Sequence, residues 1–283
     1  MLALRTLLVQ YFMRKIIFSL FMLFTLGAAQ AQSLTPEGTF DAMRNVIPGG
    51  YNFWLYTPNE YEGDAHPLPL VIFLHGASLC GNNLDKVRRY GVLDAIDKGK
   101  IIPTLVVAPQ NPGGSWSPSK LNDLLEWTKA HYRVDSTRVY VLGMSLGGYG
   151  TLDFAATYPD KIAAAMALCG GSTKKDLQGL GKVPLWIMHG TADRAVNIRE
   201  SKRVVEALQQ TGNDKLLRYD WMQGGTHGTP ARVFYIQKTY DWLFYHSLKD
   251  KPRDLCHSFD IDKDDLQSAY QEMKAEAHLY DKD

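Results

Sequence analysis

Three residues that can carry out nucleophilic catalysis occur in order along this chain, and the first is Ser145 in the Gly-x-Ser-x-Gly segment Gly143–Gly147. The segment directly follows the apolar, strand-like run Val139–Leu142, and a helix-compatible stretch begins at Tyr149. A serine in so sharp a strand-to-helix turn is lifted above the sheet edge, and glycines flank it because Cβ atoms there would collide with neighbouring backbone. The pattern predicts a nucleophilic serine, although glycine and serine are also common at ordinary strand–helix junctions.

Asp193 and His227 follow Ser145 in the order acid, then base. A serine hydroxyl is a poor nucleophile at neutral pH, so it needs a base to remove its proton and a third group to fix the tautomer of that base. Asp193 follows the predicted strand Leu185–Met188, and His227 lies in the glycine-rich turn Gly224–Gly228 after the last predicted strand. Both residues are therefore expected on loops at the carboxyl ends of strands.

Other readings of these two residues stay open. Asp193 could be a turn former before the next helix, since aspartate is common at such positions. Asp220 is a rival acid, but it lies within the apparent final strand. Of the eight histidines, His227 alone lies beyond that strand in a glycine-rich turn, whereas His246 falls on the apparent final helix. Order and strand context together favour the serine, the acid and the base named above.

Two backbone N–H groups are predicted to bind the negative charge that develops when a serine attacks an ester carbonyl. The first is the N–H of Leu146, which the turn after the predicted strand would hold in place. The second is the N–H of Ala77, in the loop after the apolar run Leu70–Leu74. Gly76 would let this loop turn tightly, and His75 is predicted to brace it by hydrogen bonds.

One aromatic residue is a candidate for contact with substrate. Trp116 lies in the loop Gln110–Pro118, which follows a predicted strand and contains two consecutive glycines. An indole in such a loop could line a cleft, or it could pack against the domain.

Short apolar runs alternate with helical patterns along the chain, which predicts an α/β fold with a doubly wound, mostly parallel sheet and helices on both faces. Several runs are apolar throughout, as expected where both faces of a parallel sheet are covered. The predicted strands are Asn52–Tyr56, Leu70–Leu74, Leu105–Ala108, Val139–Leu142, Ala163–Leu168, Leu185–Met188 and Leu216–Trp221. The predicted helices are Leu121–Tyr132, Tyr149–Tyr158 and Arg199–Thr211, the last with a stop at Gly212.

Residues 1–31 have the pattern of a secretory signal peptide. Arg14 and Lys15 precede the apolar run Ile16–Leu26, and Ala29–Ala31 fits a small-residue cleavage site. The apolar run is short for a membrane span, although a retained membrane anchor is the alternative. Removing these residues would change the net charge from +1 to −2. The mature protein is expected to be periplasmic or secreted, with no stable membrane association.

Composition narrows the classes of partner and cofactor. A chain of 283 residues with 45% apolar composition can build one large α/β domain. Its 31 basic and 30 acidic residues nearly balance, which argues against a nucleic-acid partner. Cys80, Cys169 and Cys256 allow at most one disulfide, and their spacing does not decide which. No cysteine has a His/Cys spacing suited to a metal, so neither a metal nor a cofactor is expected.

Residues 249–283 are predicted to be a charged extension that follows a catalytic domain over residues 32–248. The extension contains ten acidic residues, six basic residues and no glycine. It is expected to form a short amphipathic helix docked on the domain, or to be partly disordered. The apolar stripe of that helix would comprise Leu266, Tyr270, Met273 and Ala277.

Five segments carry a resemblance to a known family: Leu74–Gly76, Gly143–Gly148, His189–Asp193, Gly225–His227 and Tyr240–Leu243. Through them the chain resembles secreted bacterial α/β-hydrolases of an esterase group. Nearest within that group are feruloyl and acetylxylan esterases of the first carbohydrate-esterase family and the related predicted peptidases. The resemblance covers about residues 50–248. It implies the α/β-hydrolase fold, with Ser145 as nucleophile, His227 as base and then acid, and Asp193 as the carboxylate that orients the histidine.

The segment between the predicted strands Ala163–Leu168 and Leu185–Met188 is short. It has 16 residues, whereas lipase-like relatives often insert a lid domain there. No large cap domain is therefore expected, and an uncapped cleft would admit a bulky or polymeric substrate.

The leading hypothesis is a secreted serine esterase that removes feruloyl or acetyl groups from plant polysaccharide or its fragments through an acyl-enzyme. Its partner would be an ester-bearing carbohydrate or small molecule. A serine peptidase that uses the same three residues is the first alternative. The second is a non-catalytic, hydrolase-like binding protein, which would have no need of Ser, Asp and His on those three loops.

Overall fold

Eight strands make up the single sheet seen in a computed structural model of the chain, which describes residues 38–63 and 65–269. The predicted signal peptide over residues 1–31 lies outside the described residues, as do residues 270–283. The strands are β1 Gly38–Met43, β2 Phe53–Pro58, β3 Leu68–Leu74, β4 Leu105–Pro109, β5 Val134–Met144, β6 Ala164–Leu168, β7 Leu185–Gly190 and β8 Leu217–Met222.

The strand order is β1-β2-β4-β3-β5-β6-β7-β8. β1 pairs antiparallel with β2, and β2 pairs antiparallel with β4. All other neighbours, from β4 to β8, are parallel. The predicted doubly wound, mostly parallel sheet is therefore confirmed. Because the carboxyl ends of parallel strands meet at one edge, the loops after β3, β5, β7 and β8 converge there.

Helices cover both faces of the sheet. They are α1 Glu60–Gly63, α2 Val92–Asp97, α3 Pro118–His131, α4 Leu146–Thr157, α5 Arg199–Gln210 and α6 Gln237–Tyr245. α2 and α6 contribute to the apolar core on one face, and α3, α4 and α5 to the core on the other. The three predicted helices correspond to α3, α4 and α5 with ends shifted by up to three residues. Gly212, two residues after the end of α5, has a φ of 67°, in agreement with the predicted stop.

Alternate side chains of the central strands serve the two cores. In β3, Val71 and Phe73 belong to one core, while Leu70, Ile72 and Leu74 belong to the other, and all five are fully buried. This two-sided burial explains why the strand is apolar at consecutive positions.

The structure adds regular elements that the sequence patterns did not predict. β1 lies at the sheet edge, where its side chains are at most half-buried, so it carries no apolar run. Its Phe40 packs on Tyr56 of β2 with ring centroids 5.1 Å apart. β5 also begins five residues before the predicted start at Val139, through the polar stretch 134–138. Five 3-10 helices are further additions: Ala77–Leu79, Leu84–Arg89, Pro159–Lys161, Gln178–Lys182 and Pro230–Tyr235.

Residues 249–269 pack on the domain. The Arg253 guanidinium donates hydrogen bonds to the carbonyls of Ile162, Ala163 and Lys182 at 2.9, 2.6 and 2.5 Å. Cys256 is buried, and its carbonyl accepts a hydrogen bond from the Trp242 indole at 3.0 Å. All described residues belong to one compact unit. Through these contacts residues 249–269, the described part of the predicted extension, pack against the elements that precede them.

A docked helix is present in this stretch. Residues 263–269 are helical, with Leu266 packed against the core and Ala269 buried. Arg218 of β8 pairs with Asp260 at 2.5 Å, and Lys238 of α6 pairs with Asp265 at 2.7 Å. Within residues 38–63 and 65–269, no helix is both long enough and apolar enough to span a bilayer. All three cysteines are free thiols.

Acid destabilisation is predicted from His246, which is 1% exposed. Its Nδ1–H donates to the Trp242 carbonyl at 2.9 Å, and its Nε2 accepts from the Cys256 N–H at 3.1 Å, so the folded protein holds a neutral ring. Burial lowers the pKa of His246 to about 4. The unfolded chain therefore binds a proton more readily, and stability is lost as pH falls from about 6.5 to about 4, by up to about 3 kcal/mol.

Urea unfolding at pH 7 and pH 5 measures this effect. The loss of unfolding free energy between the two pH values is expected to be smaller in His246→Gln than in the original protein. His257→Gln is the matched control, because His257 is exposed, and its pH dependence is expected to equal that of the original protein. Equal pH dependence in all three proteins would contradict the assignment.

Candidate active site

Ser145 lies alone between β5 and α4, in a conformation that few side chains adopt. Its φ and ψ are 58° and −119°, and its N–H donates to the Leu168 carbonyl at 2.8 Å. Its own carbonyl accepts from the Tyr149 N–H at 3.1 Å, which opens the helix. The predicted strand–turn–helix context of Ser145 is therefore present, and its left-handed backbone is the strain expected of an exposed nucleophile turn.

The two glycines flanking Ser145 have no room for a side chain. A Cβ at Gly147 would lie 1.8 Å from the Leu74 carbonyl oxygen, and one at Gly143 would lie 2.5 Å from the Gly147 carbonyl oxygen. Backbone atoms cannot move aside as a flexible side chain can. The close approach of β3, β5 and α4 at this point therefore requires glycine at both positions.

Gly147→Ala is predicted to lower the free energy of unfolding by about 3 kcal/mol or more, because the new methyl group forces α4 away from β3. Gly63→Ala is the matched control, since a Cβ there meets no atom within 4 Å. Thermal unfolding of both variants checks the prediction. A Gly147→Ala protein as stable as the control would show that the turn is looser than described.

Asp193 and His227 are brought together from the loops after β7 and β8. Asp193 Oδ2 lies 2.7 Å from His227 Nδ1. The other carboxylate oxygen accepts N–H hydrogen bonds from Ala195 at 2.8 Å and Val196 at 2.9 Å. The Asp193 side chain is fully buried, whereas that of His227 is 28% exposed. The carboxylate is thus held from both sides, and only the histidine reaches the solvent-facing cavity.

Asp193 stays ionised in spite of its burial. Burial would by itself raise the pKa of Asp193, but the hydrogen bonds from His227, Val196 and Ala195 outweigh it and lower the pKa below its usual value. A carboxylate acceptor at 2.7 Å favours the His227 tautomer with its proton on Nδ1. Nε2 is then free to accept a proton.

Ser145 and His227 line the same open cavity of about 590 Å³. The hydrogen-bonded pair of Asp193 and His227 therefore reaches the cavity that also exposes the serine. Among the described residues, no direct hydrogen bond joins the Ser145 hydroxyl to His227. Such contacts are often long in unliganded enzymes and tighten when substrate binds.

Leu146 and Ala77, whose N–H groups were predicted to bind an oxyanion, also line this cavity beside Ser145. Leu146 is the first residue of α4, so its N–H has no partner within the helix. Among the described residues, neither N–H has a hydrogen-bond acceptor in the protein. Two free donors next to a serine are suited to bind a developing oxyanion.

The loop that carries Ala77 is braced by His75, as predicted. His75 is fully buried, its Nε2 accepts from the Asn111 N–H at 3.0 Å, and its Nδ1 donates to the Gly76 carbonyl at 2.7 Å. Burial lowers the pKa of His75, which keeps the ring in this neutral form. Tyr90 adds a contact that the sequence did not predict, because its hydroxyl accepts from the Gly76 N–H at 2.6 Å.

Solved structures with the same fold include esterases. A thermostable esterase matches 75% of this chain and 63% of its own, with a TM-score of 0.62 and 25% identity. The feruloyl esterase module from Clostridium thermocellum, complexed with sinapinate, matches 77% of this chain and 92% of its own, with a TM-score of 0.57 and 17% identity. The chain has the α/β-hydrolase fold. Within it, residues 115–244 match the sequence profile of a family described as Phospholipase/Carboxylesterase.

In sequence, this α/β-hydrolase resembles a depolymerase and several esterases. Poly(3-hydroxyalkanoate) depolymerase C of Paucimonas lemoignei is 25% identical over 179 residues, which is 57% of this chain and 40% of the depolymerase. Acetylxylan esterase A of Aspergillus ficuum is 27% identical over 141 residues, 44% of each chain. Feruloyl esterase B of Talaromyces stipitatus is 27% identical over 157 residues, 50% of this chain and 40% of that esterase. The chain thus spans less than half the length of each relative.

The cavity of this α/β-hydrolase is open on its solvent side. Between β6 and β7, residues 169–184 add one 3-10 helix, Gln178–Lys182, and no inserted domain. This agrees with the expected absence of a large cap. Larger apolar and aromatic side chains form much of the wall: Tyr90, Met144, Leu146, Tyr149 and Val196.

Trp116 packs in the core and does not line the cavity that contains Ser145. The side chain is 3% exposed and belongs to a core cluster, and its indole N–H donates to the His75 carbonyl at 3.3 Å. Its ring occupies the space that a side chain at position 150 would need, because a Cβ built on Gly150 would lie 2.6 Å from it. Of the two positions considered for Trp116, the structure therefore has the one packed against the domain, where the indole supports the loop that carries His75.

A second histidine, His189, contacts Asp193, and the sequence did not predict this contact. His189 is fully buried at the end of β7, and its Nε2 lies 3.2 Å from Asp193 Oδ2 and 3.0 Å from the Val196 carbonyl. Its Nδ1 lies 2.7 Å from the Ser201 hydroxyl. His189 thus helps to hold the carboxylate against His227. The signal in the sequence was its place four residues before Asp193, at the end of the same predicted strand.

Proposed function

We propose that this protein is a secreted or periplasmic serine esterase that hydrolyses carboxylic esters through an acyl-enzyme. The observation that carries the proposal is the convergence of Ser145 and His227 on one cavity, with His227 Nδ1 held 2.7 Å from Asp193. Nucleophile, base and orienting acid come from three different loops at the carboxyl edge of the sheet. That arrangement supplies each role that serine catalysis needs.

Each residue has a defined part in the proposed reaction. Ser145 Oγ attacks the ester carbonyl carbon while His227 Nε2 accepts the hydroxyl proton, and Asp193 stabilises the imidazolium that forms. The N–H groups of Leu146 and Ala77 bind the negative charge on the carbonyl oxygen. The bond to the alcohol oxygen then breaks as His227 returns the proton to the leaving alcohol, and the acyl group stays on Ser145.

Deacylation repeats these steps with water as the nucleophile. His227 removes a proton from the water, the hydroxide attacks the acyl carbon, and the same two N–H groups bind the oxyanion. The carboxylic acid leaves as the Ser145 oxygen regains its proton. The step returns the enzyme to its starting state without a metal or cofactor among the reactants.

The proposed substrates are feruloyl or acetyl esters on plant polysaccharide or its fragments. The resemblance to acetylxylan esterase A of Aspergillus ficuum and feruloyl esterase B of Talaromyces stipitatus supports this choice. The open cavity supports it too, because no inserted domain between β6 and β7 closes it to a bulky chain. The walls offer Tyr90 and Tyr149 to an aromatic acyl group.

Hydrolysis of methyl ferulate and of p-nitrophenyl acetate, each with Ser145→Ala protein as control, tests the proposal. Turnover of ferulate that disappears in the variant would support a feruloyl esterase. Turnover of acetate alone would support an acetyl esterase. Absence of both, together with cleavage of a peptide p-nitroanilide, would overturn the proposal in favour of a peptidase.

A further inference from the structure

Cys169 has an unusual backbone for a residue with a side chain. It directly follows β6, with a φ of 49°, and its N–H donates to the Met188 carbonyl at 2.8 Å. Left-handed backbone favours glycine, and a residue with a Cβ atom adopts it at a cost in free energy. The neighbouring position is Gly170, so a glycine-rich turn already exists here. The turn nevertheless places a thiol at this point.

The thiol lies beside the pair formed by Asp193 and His227. Cys169 is fully buried, and its Sγ is 3.6 Å from the His227 carbonyl oxygen. One donor atom from each of the three side chains, the Cys169 sulfur, an Asp193 carboxylate oxygen and a His227 ring nitrogen, lies within 4.8 Å of the other two. The hydrogen bond between acid and base joins two of these atoms, and the third is the Cys169 sulfur, which comes from the loop after β6.

We propose that Cys169, Asp193 and His227 form a binding site for a thiophilic divalent cation, zinc in particular, whose occupancy blocks the active site. A thiolate, an imidazole nitrogen and a carboxylate oxygen are the three donor types that zinc takes in proteins, at about 2.3, 2.0 and 2.0–2.2 Å. A water molecule would complete four-coordinate geometry. To reach these bond lengths, the Asp193 and His227 atoms, now 2.7 Å apart, would separate slightly, and the sulfur would approach them by about 1 Å.

Metal binding and serine catalysis exclude each other at this site. A cation between Asp193 and His227 replaces the proton that joins their side chains at 2.7 Å. The imidazole then donates its lone pair to the metal, and it can no longer take up the Ser145 proton with the support of the carboxylate. Binding releases one proton, from the Cys169 thiol, while the His227 proton moves from Nδ1 to Nε2, and the lone pairs freed on sulfur and Nδ1 form the metal bonds.

The surroundings predict which cations bind and how fast. Because the Cys169 thiol is buried, a metal has to displace its proton in order to bind. Zinc and cadmium can do this, whereas magnesium and calcium prefer oxygen ligands and are expected to have no effect. The Asp193 side chain is buried and that of His227 is 28% exposed, so entry requires displacement of the His227 turn. Inhibition is therefore expected to develop slowly and to be reversed by a chelator.

The binding step is measured without reference to activity. Titration of the full chain with cadmium chloride is expected to produce the ultraviolet absorption of a cadmium–thiolate bond, saturating at one cation per chain. Cys169→Ser is expected to lose this band, while Cys256→Ser, a second buried cysteine, keeps it. Ser145→Ala protein should also keep it, because the serine is not a ligand. Loss of the band with Cys256→Ser instead, or absence of the band in all proteins, would overturn the proposal.

The inhibition, though not the binding, rests on the proposed function. Zinc chloride is added to each protein after its metal-free rate with p-nitrophenyl acetate is recorded. The zinc concentration that halves the rate is expected to rise by about tenfold or more in Cys169→Ser. An unchanged value would show that zinc binds His227 alone, and the proposed site would be wrong. A protein with a cadmium band but no ester hydrolysis would leave the metal site standing and remove the esterase.

Discussion

Ser145→Ala is expected to reduce kcat/KM for ester hydrolysis by about 10⁴-fold or more, because the variant has no atom that can form the acyl-enzyme. Residual turnover would come from the N–H groups of Leu146 and Ala77 and from binding alone. The fold should persist, since alanine keeps the Cβ that already occupies the left-handed turn at φ 58°. The free energy of unfolding is expected to change by less than about 1 kcal/mol.

Steady-state kinetics with p-nitrophenyl acetate, together with thermal unfolding, check this result. Ser136→Ala is the matched control, because Ser136 is an exposed serine near the opposite end of β5, away from the carboxyl edge. It is expected to retain full activity. A Ser145→Ala protein with a tenth of the original kcat/KM would remove Ser145 from the mechanism.

Asp193→Asn is expected to reduce kcat/KM by about 10⁴-fold while leaving the shape of the site intact. The amide oxygen can keep the N–H hydrogen bonds from Ala195 and Val196. Its NH₂ group would then face His227 Nδ1, which favours the tautomer with the proton on Nε2. That ring cannot accept the Ser145 proton, and no carboxylate remains to stabilise an imidazolium.

Asp220→Asn is the matched control for the acid. Asp220 accepts the Trp186 indole N–H at 2.6 Å and lies 3.6 Å from Arg218, which explains it as a structural carboxylate of β8. Its variant is expected to lose less than about tenfold in kcat/KM. An equal loss of kcat/KM in the two variants, or a greater loss in Asp220→Asn, would show that Asp193 is not the orienting acid.

The central strands could be predicted because both faces of each are buried. β3, β4, β6 and β7 therefore have largely apolar sequences. β1 was not predicted because a strand at the sheet edge buries few side chains, so its sequence contains no apolar run. The start of β5 was not predicted because it carries no apolar run: Val134 pairs with Leu68 of β3, and the register shifts before pairing resumes at Val139 and Leu70.

The candidate site likewise combines residues that the sequence predicts with contacts that it does not predict. The order of Ser145, Asp193 and His227 is visible in the sequence, since each follows a strand that is itself recognisable. The packing of Trp116 is not visible, because it depends on the space beside Gly150, 34 positions further along the chain. The contact of Cys169 with the acid–base pair likewise joins loops after β6, β7 and β8. Such contacts follow from the assembled sheet edge and from no local pattern.

The hydrogen bonds of Arg253 have a practical consequence for anyone who fuses this protein to a partner. A chain that stops at residue 248 keeps every proposed catalytic group, yet it loses the guanidinium that binds the carbonyls of Ile162, Ala163 and Lys182. It also lacks the Cys256 carbonyl, which accepts the hydrogen bond of the Trp242 indole. A reporter, an affinity tag or a polysaccharide-binding module should accordingly be joined after residue 269.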